Sequence, residues 1–561
     1  MPDRKKFDNF KIDVPEYYNF ARDVVDSHAA LDRNRMAMIW VNQQGNEKRY
    51  TFHDFSRLSN QAANLLLKYG IKQGDRVFLM LPRIPEWWIF SLALIKIGAI
   101  QCPAPCLLTP HDIKQRISQG RFCGVITDSE NAAKFDGIDK HYPSLNFRLL
   151  IDGERENWIN YSREISCPEN YSRHKVMTPF LIKTRYSDPM IILFTSGTNK
   201  YPKMVLHNYA YPLGHRVTTE LWQNVSSNDL HFTISDTGWA KNIWGNYFGQ
   251  WNVGACVFVY DIRGKFHPNE ILPILEKYEI TSFCAPPTIY RMLVLSDLKK
   301  FDFKELKHCL SAGEPLHIET SRLWEEETGI KIYEGYGQTE TVCIIGHFRH
   351  VPQKPGSMGI AAPGWNIEIH DDNGEIVAPG VEGRIAIKLA NKPIGLLMNY
   401  LDNTEANAAS FINGYYYTGD KAKYDDDGYF WFLGRSDDII KSSGYRIGPL
   451  EIEEALMTHP AVQEVGVIGV PDPIRGARIK AYIVLNSDFE ATESMVKKLQ
   501  EYTKKHTAPY KYPREIEFVR TLPKTLSGKI KRDLLRSHAT TGEVCGEFTP
   551  LHSDKLKQFN N

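Results

Sequence analysis

Met190-Ile-Ile-Leu-Phe-Thr195-Ser-Gly-Thr-Asn-Lys-Tyr-Pro-Lys203 is the stretch on which the reading of this chain turns. The apolar run Met190–Phe194 has the length and composition of a buried strand. It opens directly into a loop with three hydroxyls, a glycine and two lysines. Backbone N–H groups and hydroxyls can wrap an anion while lysine supplies charge, so the loop suits phosphate. Its candidate ligands are Thr195, Ser196, Gly197, Thr198 and Lys203. Gly197 and Lys203 have the separation of a Walker loop. However, Pro202 stands where the second glycine belongs, and Met204 replaces the hydroxyl that would hold magnesium. A P-loop nucleotidase is therefore disfavoured.

Outward from this loop the first half alternates helical patterns with short apolar runs. Tyr50–Tyr69 has helical spacing through Phe55, Leu58, Ala62, Leu65 and Leu66. Arg76–Leu81, Gly124–Thr127 and Phe147–Ile151 read as strands, and Trp88–Ile97 as a helix. This alternation predicts an α/β domain with a mainly parallel sheet. Residues 153–187 read as an irregular excursion. From about residue 356 the texture turns β-rich, with Asp371–Gly374 and Asp425–Gly428 as turns between runs such as Arg384–Lys388 and Tyr429–Phe432. This predicts a β-barrel-like subdomain. The Asp425 cluster lacks the spacing and closing Glu of a calcium loop. From Gly444 a compact α+β unit is expected. Its helices are Leu450–Thr458 and Glu493–Lys504, and its strands are Glu464–Val470, Ile479–Leu485 and Glu515–Val519. The predicted division is an N-terminal domain, 1–436, of two α/β subdomains plus the β subdomain, and a small C-terminal domain, 437–561. The last twenty residues read as a loosely held tail.

Composition narrows the classes. The chain has 561 residues, 42% apolar and 24% charged, enough for several cores. Lys plus Arg is 68 and Asp plus Glu is 67, for a net charge of +1. That balance argues against a charge-driven nucleic-acid or membrane-surface binder. The most apolar run, Trp87–Ile95, is too short to span a bilayer. The N-terminal residues lack the apolar core of a signal peptide. Nine cysteines without a C-x-x-C pair fit reduced thiols, and a cytoplasmic location is expected.

The phosphate loop resembles the T-S-G-[ST]-[ST]-G-x-P-K signature of the adenylate-forming superfamily of acyl-CoA synthetases, adenylation domains and luciferases. Further motifs follow in that family's order. They are Ser311-Ala-Gly-Glu-Pro315, Tyr333-Glu-Gly-Tyr-Gly-Gln-Thr-Glu340, Tyr417-Thr-Gly-Asp420, Gly434-Arg-Ser-Asp-Asp438 and Pro523-Lys-Thr-Leu-Ser-Gly-Lys529. The resemblance covers roughly residues 30 to 540. It implies an ATP site built from the phosphate loop with Gly313, Glu314, Pro315, Glu334, Tyr336, Gln338, Thr339, Asp420, Arg435 and Lys529. Each role has a physical reason. Tyr336 offers adenine a stacking face, while the Gly313–Pro315 backbone approaches the other side. Asp420 can accept both ribose hydroxyls, with Arg435 beside it. Glu340 supplies a hard oxygen for Mg²⁺, and Thr339 can donate to the α-phosphate.

In such enzymes a carboxylate attacks the α-phosphorus of ATP, pyrophosphate leaves, and a thiol then attacks the acyl-adenylate and releases AMP. The carboxylate is already ionised at neutral pH, so no general base is needed. Lys529 with Thr339 and Glu340 are the expected catalytic groups, neutralising charge on the transferring phosphoryl. The two steps imply two orientations of the C-terminal domain, with Asp437 as hinge. In the second, Gly444 would line the pantetheine tunnel, with Ser443, Tyr445, Arg446 and Arg475 as CoA contacts.

Ser235–Lys241, Lys480–Leu485 and Ala508–Arg514 look most like the medium-chain acyl-CoA synthetase branch. In acetate-specific relatives a Trp closes the acyl pocket where Gly337 stands here. With Gly337, Ala240 and Ala312 as wall positions and Trp239 as a lining candidate, acids larger than acetate are expected. Each buried methylene gains roughly 0.8 kcal/mol. Asp236 reads as a helix N-cap. Asn199 and Lys200 depart from the signature, and Lys200 lacks the freedom of the usual Gly. The expected cofactors and substrates are ATP, Mg²⁺, CoA and a small carboxylic acid. The alternative is a stand-alone adenylation enzyme that loads a carrier protein. A homodimer is left open.

Overall fold

The computed structural model describes residues 5, 7–138, 142–166, 182–195, 202–264, 267–390, 392–435, 438, 440–442, 445–472, 476–507, 511–525, 528–542 and 549–550, with backbone alone for 441, 445–446 and 549–550. The fold is α/β. Its contacts divide the chain into one unit of Met1–Asn366 with Lys388–Gly414, and a second of Ile367–Ile387 with Tyr415–Asn561.

Two sheets build the first unit. One runs, in spatial order, through Gly359–Ala361, Ile345–Gly346, Ile332–Tyr336, His308–Ala312, Ser282–Ala285, Leu230–Thr233, Cys256–Asp261, Met36–Asn42 and Glu47–Thr51. From Ile332–Tyr336 to Met36–Asn42 the pairings are parallel. The other runs through Asn399–Tyr400, Lys203–Asn208, Pro189–Thr195, Ile100–Pro103, Arg76–Met80, Gly124–Thr127, Phe147–Leu150 and Ile159–Asn160. Pro189–Thr195 and Lys203–Asn208 form an antiparallel hairpin in which Thr195 pairs with Lys203. The expected irregular excursion contains a short strand, Ile159–Asn160, and a helix, Tyr161–Ser166.

Local chemistry explains the helices. Phe52–Lys68 starts at a capping box, Thr51 with Asp54, and turns Phe55, Ala62, Leu65 and Leu66 inward. Pro85–Lys96 begins with Pro in its first turn and is buried on nearly every side. At its end lies Lys96, 0% exposed, whose Nζ donates to Asp26 Oδ1 at 2.8 Å, Asn60 Oδ1 at 2.8 Å and the Ser56 carbonyl at 3.3 Å. A buried ammonium persists when it is paired in this way.

In the second unit Ile367–His370, Gly383–Lys388, Tyr415–Tyr424 and Tyr429–Arg435 lie side by side, with the first two antiparallel to each other and the last two likewise. Among the described residues these strands show no closed barrel. The predicted turns hold. Gly374 N–H donates to the Asp371 carbonyl and Gly428 N–H to that of Asp425, both glycines with positive φ. Val462–Asp472, Gly476–Leu485 and Glu515–Thr521 form a separate sheet, packed by the helices Pro449–Met457 and Glu493–His506 around Ile452, Leu456, Val467, Ile483 and Leu499. An ionic network joins this unit's parts. Arg532 grips the buried Glu453 carboxylate with two 2.7 Å bonds and lies 3.5 Å from Asp438, which also accepts from Arg536. Both ends of the expected boundary, Ser436 and Asp437, and nearly all of the expected tail lie outside the described residues.

Candidate active site

The site in the first unit starts where strands end. Ile332–Tyr336 pairs in parallel with His308–Ala312, setting Ser311 beside Glu334 and Ala312 beside Gly335. Beyond Ala312 the chain turns at Gly313, whose φ of +103° is costly for any side-chain-bearing residue. The next residue, Glu314, accepts from the Thr288 hydroxyl through Oε2 at 3.1 Å, while its buried Oε1 has no hydrogen-bond partner. Such an acceptor is costly unless a ligand or water engages it. Glu334 Oε1 accepts from Leu316 N–H at 3.3 Å, which ties this strand end to the Gly313–Pro315 turn.

After Tyr336 the chain makes a tight turn. Gln338 N–H donates to Thr341 Oγ1 at 2.9 Å, and Thr341 N–H to the Gln338 carbonyl at 3.1 Å. Thr339 and Glu340 sit at its apex, half-buried. Three neighbours clamp this apex. His207 Nε2 lies 2.7 Å from the Thr339 carbonyl, and Leu397 N–H donates to the Glu340 carbonyl at 2.8 Å. The Tyr400 hydroxyl donates to Glu340 Oε1 at 2.8 Å, and Lys203 Nζ lies 4.8 Å over the Tyr400 ring. Burial holds His207 low, at about 4, so its ring is neutral and donates through Nε2. One carboxylate here fits a magnesium bound mainly through phosphates. Among the described residues no cluster of three acidic, His or Cys groups offers an all-protein cage.

The acyl-wall candidates also converge. Lys241 Nζ donates to the Ala312 carbonyl at 3.0 Å, which brings the helix Ala240–Gly245 to that strand end. A Cβ placed on Gly337 would lie 2.3 Å from the Trp244 indole and 2.2 Å from the Val342 carbonyl oxygen. The space expected to be open beside Gly337 is therefore filled on that side by Trp244. Trp239 and Ala240, at the start of the same helix, are half-buried. Asp236 does not cap the helix. Trp239 holds the N-cap position without a side-chain bond, and Asp236 Oδ1 instead accepts from Gly238 N–H at 2.9 Å.

The second unit carries its own set. Asp420, 4% exposed, pairs across two strands with Arg435, whose Nη1 lies 3.2 Å from its Oδ1. The Asp420 N–H donates to Thr418 Oγ1 at 3.1 Å. Lys529 is exposed on a closed turn. The Lys529 N–H donates to Thr525 Oγ1 at 3.0 Å, Thr525 N–H donates to the Lys529 carbonyl at 2.7 Å, and Gly528 holds φ +92°. Ile440–Ser442 and Tyr445–Ile447 pair as antiparallel strands. Ser196, Gly197, Thr198, Asn199, Lys200, Asp437, Ser443, Gly444 and Arg475 lie outside the described residues, as do the side chains of Tyr445 and Arg446. Sequence reasoning missed Tyr400, His207 and Trp244, because none belongs to a motif that marks it.

The AMP-binding enzyme family profile matches residues 25–400, and its C-terminal domain profile matches residues 451–529. The chain belongs to the AMP-binding enzyme family. The mitochondrial acyl-coenzyme A synthetase ACSM3 of Homo sapiens is 43% identical over 539 residues, covering 94% of this chain and 91% of that protein. The mitochondrial acyl-coenzyme A synthetase ACSM5 of Homo sapiens is 43% identical over 535 residues, with 93% and 91% covered. Among solved structures, the anthranilate CoA ligase AuaEII in complex with anthranoyl-AMP superposes with a TM-score of 0.85 at 28% identity, covering 94% of this chain and 98% of that one. An acyl-CoA synthetase of Brucella canis gives 0.72 at 30%, with 96% and 97% covered. These relatives bear out the resemblance to the medium-chain branch. They overturn the cytoplasmic expectation, since the similar curated synthetases are mitochondrial. Among the described residues no helix is long and apolar enough to cross a membrane.

Proposed function

We propose that the acid this enzyme activates is a short-to-medium-chain carboxylate larger than acetate, and that the mitochondrion is where it acts. The chain is an AMP-forming acid–thiol ligase, an acyl-CoA synthetase, with ATP and CoA as its co-substrates. Support for the proposal about the acid comes from glycine at 337, where acetate-specific relatives carry a Trp, and from the 43% identity to the ACSM acyl-coenzyme A synthetases. Trp244, an indole from the neighbouring helix, packs directly on that glycine and takes the space on that side, so the wall there is apolar.

Each unit carries its own candidate ATP contacts. In the first, Thr195 and Lys203 flank the phosphate loop, Thr339 donates to the α-phosphate, and Tyr336 with Gly313–Pro315 holds adenine. In the second, Asp420 with Arg435 binds ribose, and Lys529 neutralises charge as pyrophosphate leaves. Glu340 with the ATP phosphates would hold Mg²⁺, which screens phosphate charge when bound. Support for the Thr339 and Glu340 roles comes from the clamp of His207, Leu397 and Tyr400, which fixes both residues before substrate arrives. We assign the hinge to Asp437 and the CoA contacts to Ser443, Gly444, Tyr445, Arg446 and Arg475 on the family pattern.

The test is incubation with ATP, Mg²⁺, CoA and acids from acetate to decanoate, read by mass spectrometry. Acyl-CoA from propionate or longer acids is expected. Acetate as the best substrate would overturn the proposal about the acid, and acyl-adenylate without acyl-CoA would point to a carrier-protein acceptor. Light scattering on the same preparation decides the homodimer left open above, and organelle fractionation decides the compartment.

A further inference from the structure

Tyr400 belongs to none of the recognised motifs, yet it touches two of the residues assigned to ATP. Its strand is registered on the one that begins at Lys203, with Tyr400 opposite Val205 and Asn399 opposite Leu206. Flanking backbone bonds, Met398 N–H to the Leu206 carbonyl at 2.7 Å and Leu401 N–H to the Met204 carbonyl at 2.8 Å, leave this segment little freedom. The ring is 3% exposed, lies under Lys203 Nζ, and sends its hydroxyl to Glu340 Oε1.

We propose that Tyr400 is a positioning residue for the adenylating half-reaction: it fixes the rotation of the Glu340 carboxylate toward the cation carried by ATP and couples that carboxylate to Lys203 at the exit of the phosphate loop. This rests on the reading of Glu340 as the magnesium ligand. A purely architectural tyrosine needs only a backbone carbonyl as acceptor. Bonding a carboxylate instead is a stronger, directional contact that sets where the remaining oxygen points. A cation over the ring face draws electron density from the phenol and polarises its O–H toward the acceptor. Lys203, Tyr400 and Glu340 thus form one chain of contacts, with each end at a group assigned to the triphosphate.

The experiment compares full-length Tyr400→Phe, Tyr400→Leu and Glu340→Gln with the parent enzyme. Calorimetry measures ATP affinity with and without Mg²⁺, and ATP–pyrophosphate exchange is followed against Mg²⁺ concentration. Acyl transfer to CoA is measured from supplied acyl-adenylate. Tyr400→Phe keeps the ring and removes one bond to a charged acceptor. It should weaken the Mg²⁺-dependent gain in ATP affinity by about ten-fold, the size expected for such a bond. It should also raise the Mg²⁺ concentration for half-maximal exchange and leave metal-free ATP binding and acyl transfer unchanged. Tyr400→Leu should in addition weaken metal-free ATP binding, because Lys203 loses its ring; the outcome for Tyr400→Phe decides even if this variant fails to fold. Unaltered Mg²⁺ dependence in Tyr400→Phe beside an impaired Glu340→Gln overturns the role of Tyr400 alone. Normal Mg²⁺ dependence in Glu340→Gln removes the reading of Glu340 and this proposal with it.

Discussion

The indole of Trp244 stands where a side chain at Gly337 would have to go, and that contact sets a substitution test. Trp244→Ala should move the preference toward longer acids. Each methylene newly buried is worth roughly 0.8 kcal/mol, or about four-fold in kcat/KM. Rates across the straight-chain series check it, and an unchanged profile refutes the proposed wall. Asp420 offers a second test. Asp420→Asn keeps the shape but gives up the charged acceptor proposed for ribose, so ATP affinity measured by calorimetry should fall about ten-fold while the acid's affinity holds. At this scale the sequence singles out candidates inside an ordered motif, such as Glu340 and Asp420. It was silent on Tyr400 and His207, whose contacts are with residues far away along the chain. Asp236 was misread because Ser, Asp and Thr before a helix favour capping and local turns alike, and the structure takes the turn.

Elements were easier to read than their partners. Gly124–Thr127 matches its expected bounds, and Glu493–His506 and Glu515–Thr521 extend theirs by two residues. Trp88–Ile97 is found as Pro85–Lys96. A helix apolar on all sides loses its periodic signal, so only its length separated it from a strand. Nothing in an isolated run reports which strand lies beside it, so the short strand Asn399–Tyr400 on the edge of the phosphate-loop hairpin went unseen. The turn that carries Lys529 makes its own prediction. Its backbone bonds survive replacement of an exposed side chain, so Lys529→Gln should fold normally. It should slow ATP–pyrophosphate exchange by on the order of a hundred-fold, the cost of losing one preorganised charge-stabilising group. Acyl transfer from supplied acyl-adenylate should continue, and equal losses in both half-reactions would argue against the assigned role. In the same unit Arg532→Met strands the buried Glu453 carboxylate and should cost about 3–5 kcal/mol, read as a lower unfolding midpoint in urea.

Taken whole, the molecule carries several histidines that burial keeps neutral: His207 and His308 at about 4 and His231 at about 3. Unfolded, each binds its proton near pH 6.5, so the unfolded chain takes up more protons below that point. Their stabilising contribution is complete above about pH 6.5 and drains away as pH falls toward about 4. Melting temperature should therefore drop between pH 7 and pH 5; a flat profile would mean these rings are charged or solvated when folded. The α/β class was legible because strands and helices alternate, whereas the return of Lys388–Gly414 to the first unit was not, since a contact map is not written in local periodicity. Compartment was the least legible property, because reduced cysteines fit the mitochondrial matrix as well as the cytosol. Lys96 offers a last use for this arrangement. With its amine sealed against Asp26 and Asn60, an acylating label added to the native enzyme will skip it while marking exposed Lys529. Modification at Lys96 therefore counts only chains that have opened, giving a mass-spectrometric clock for unfolding without any introduced probe.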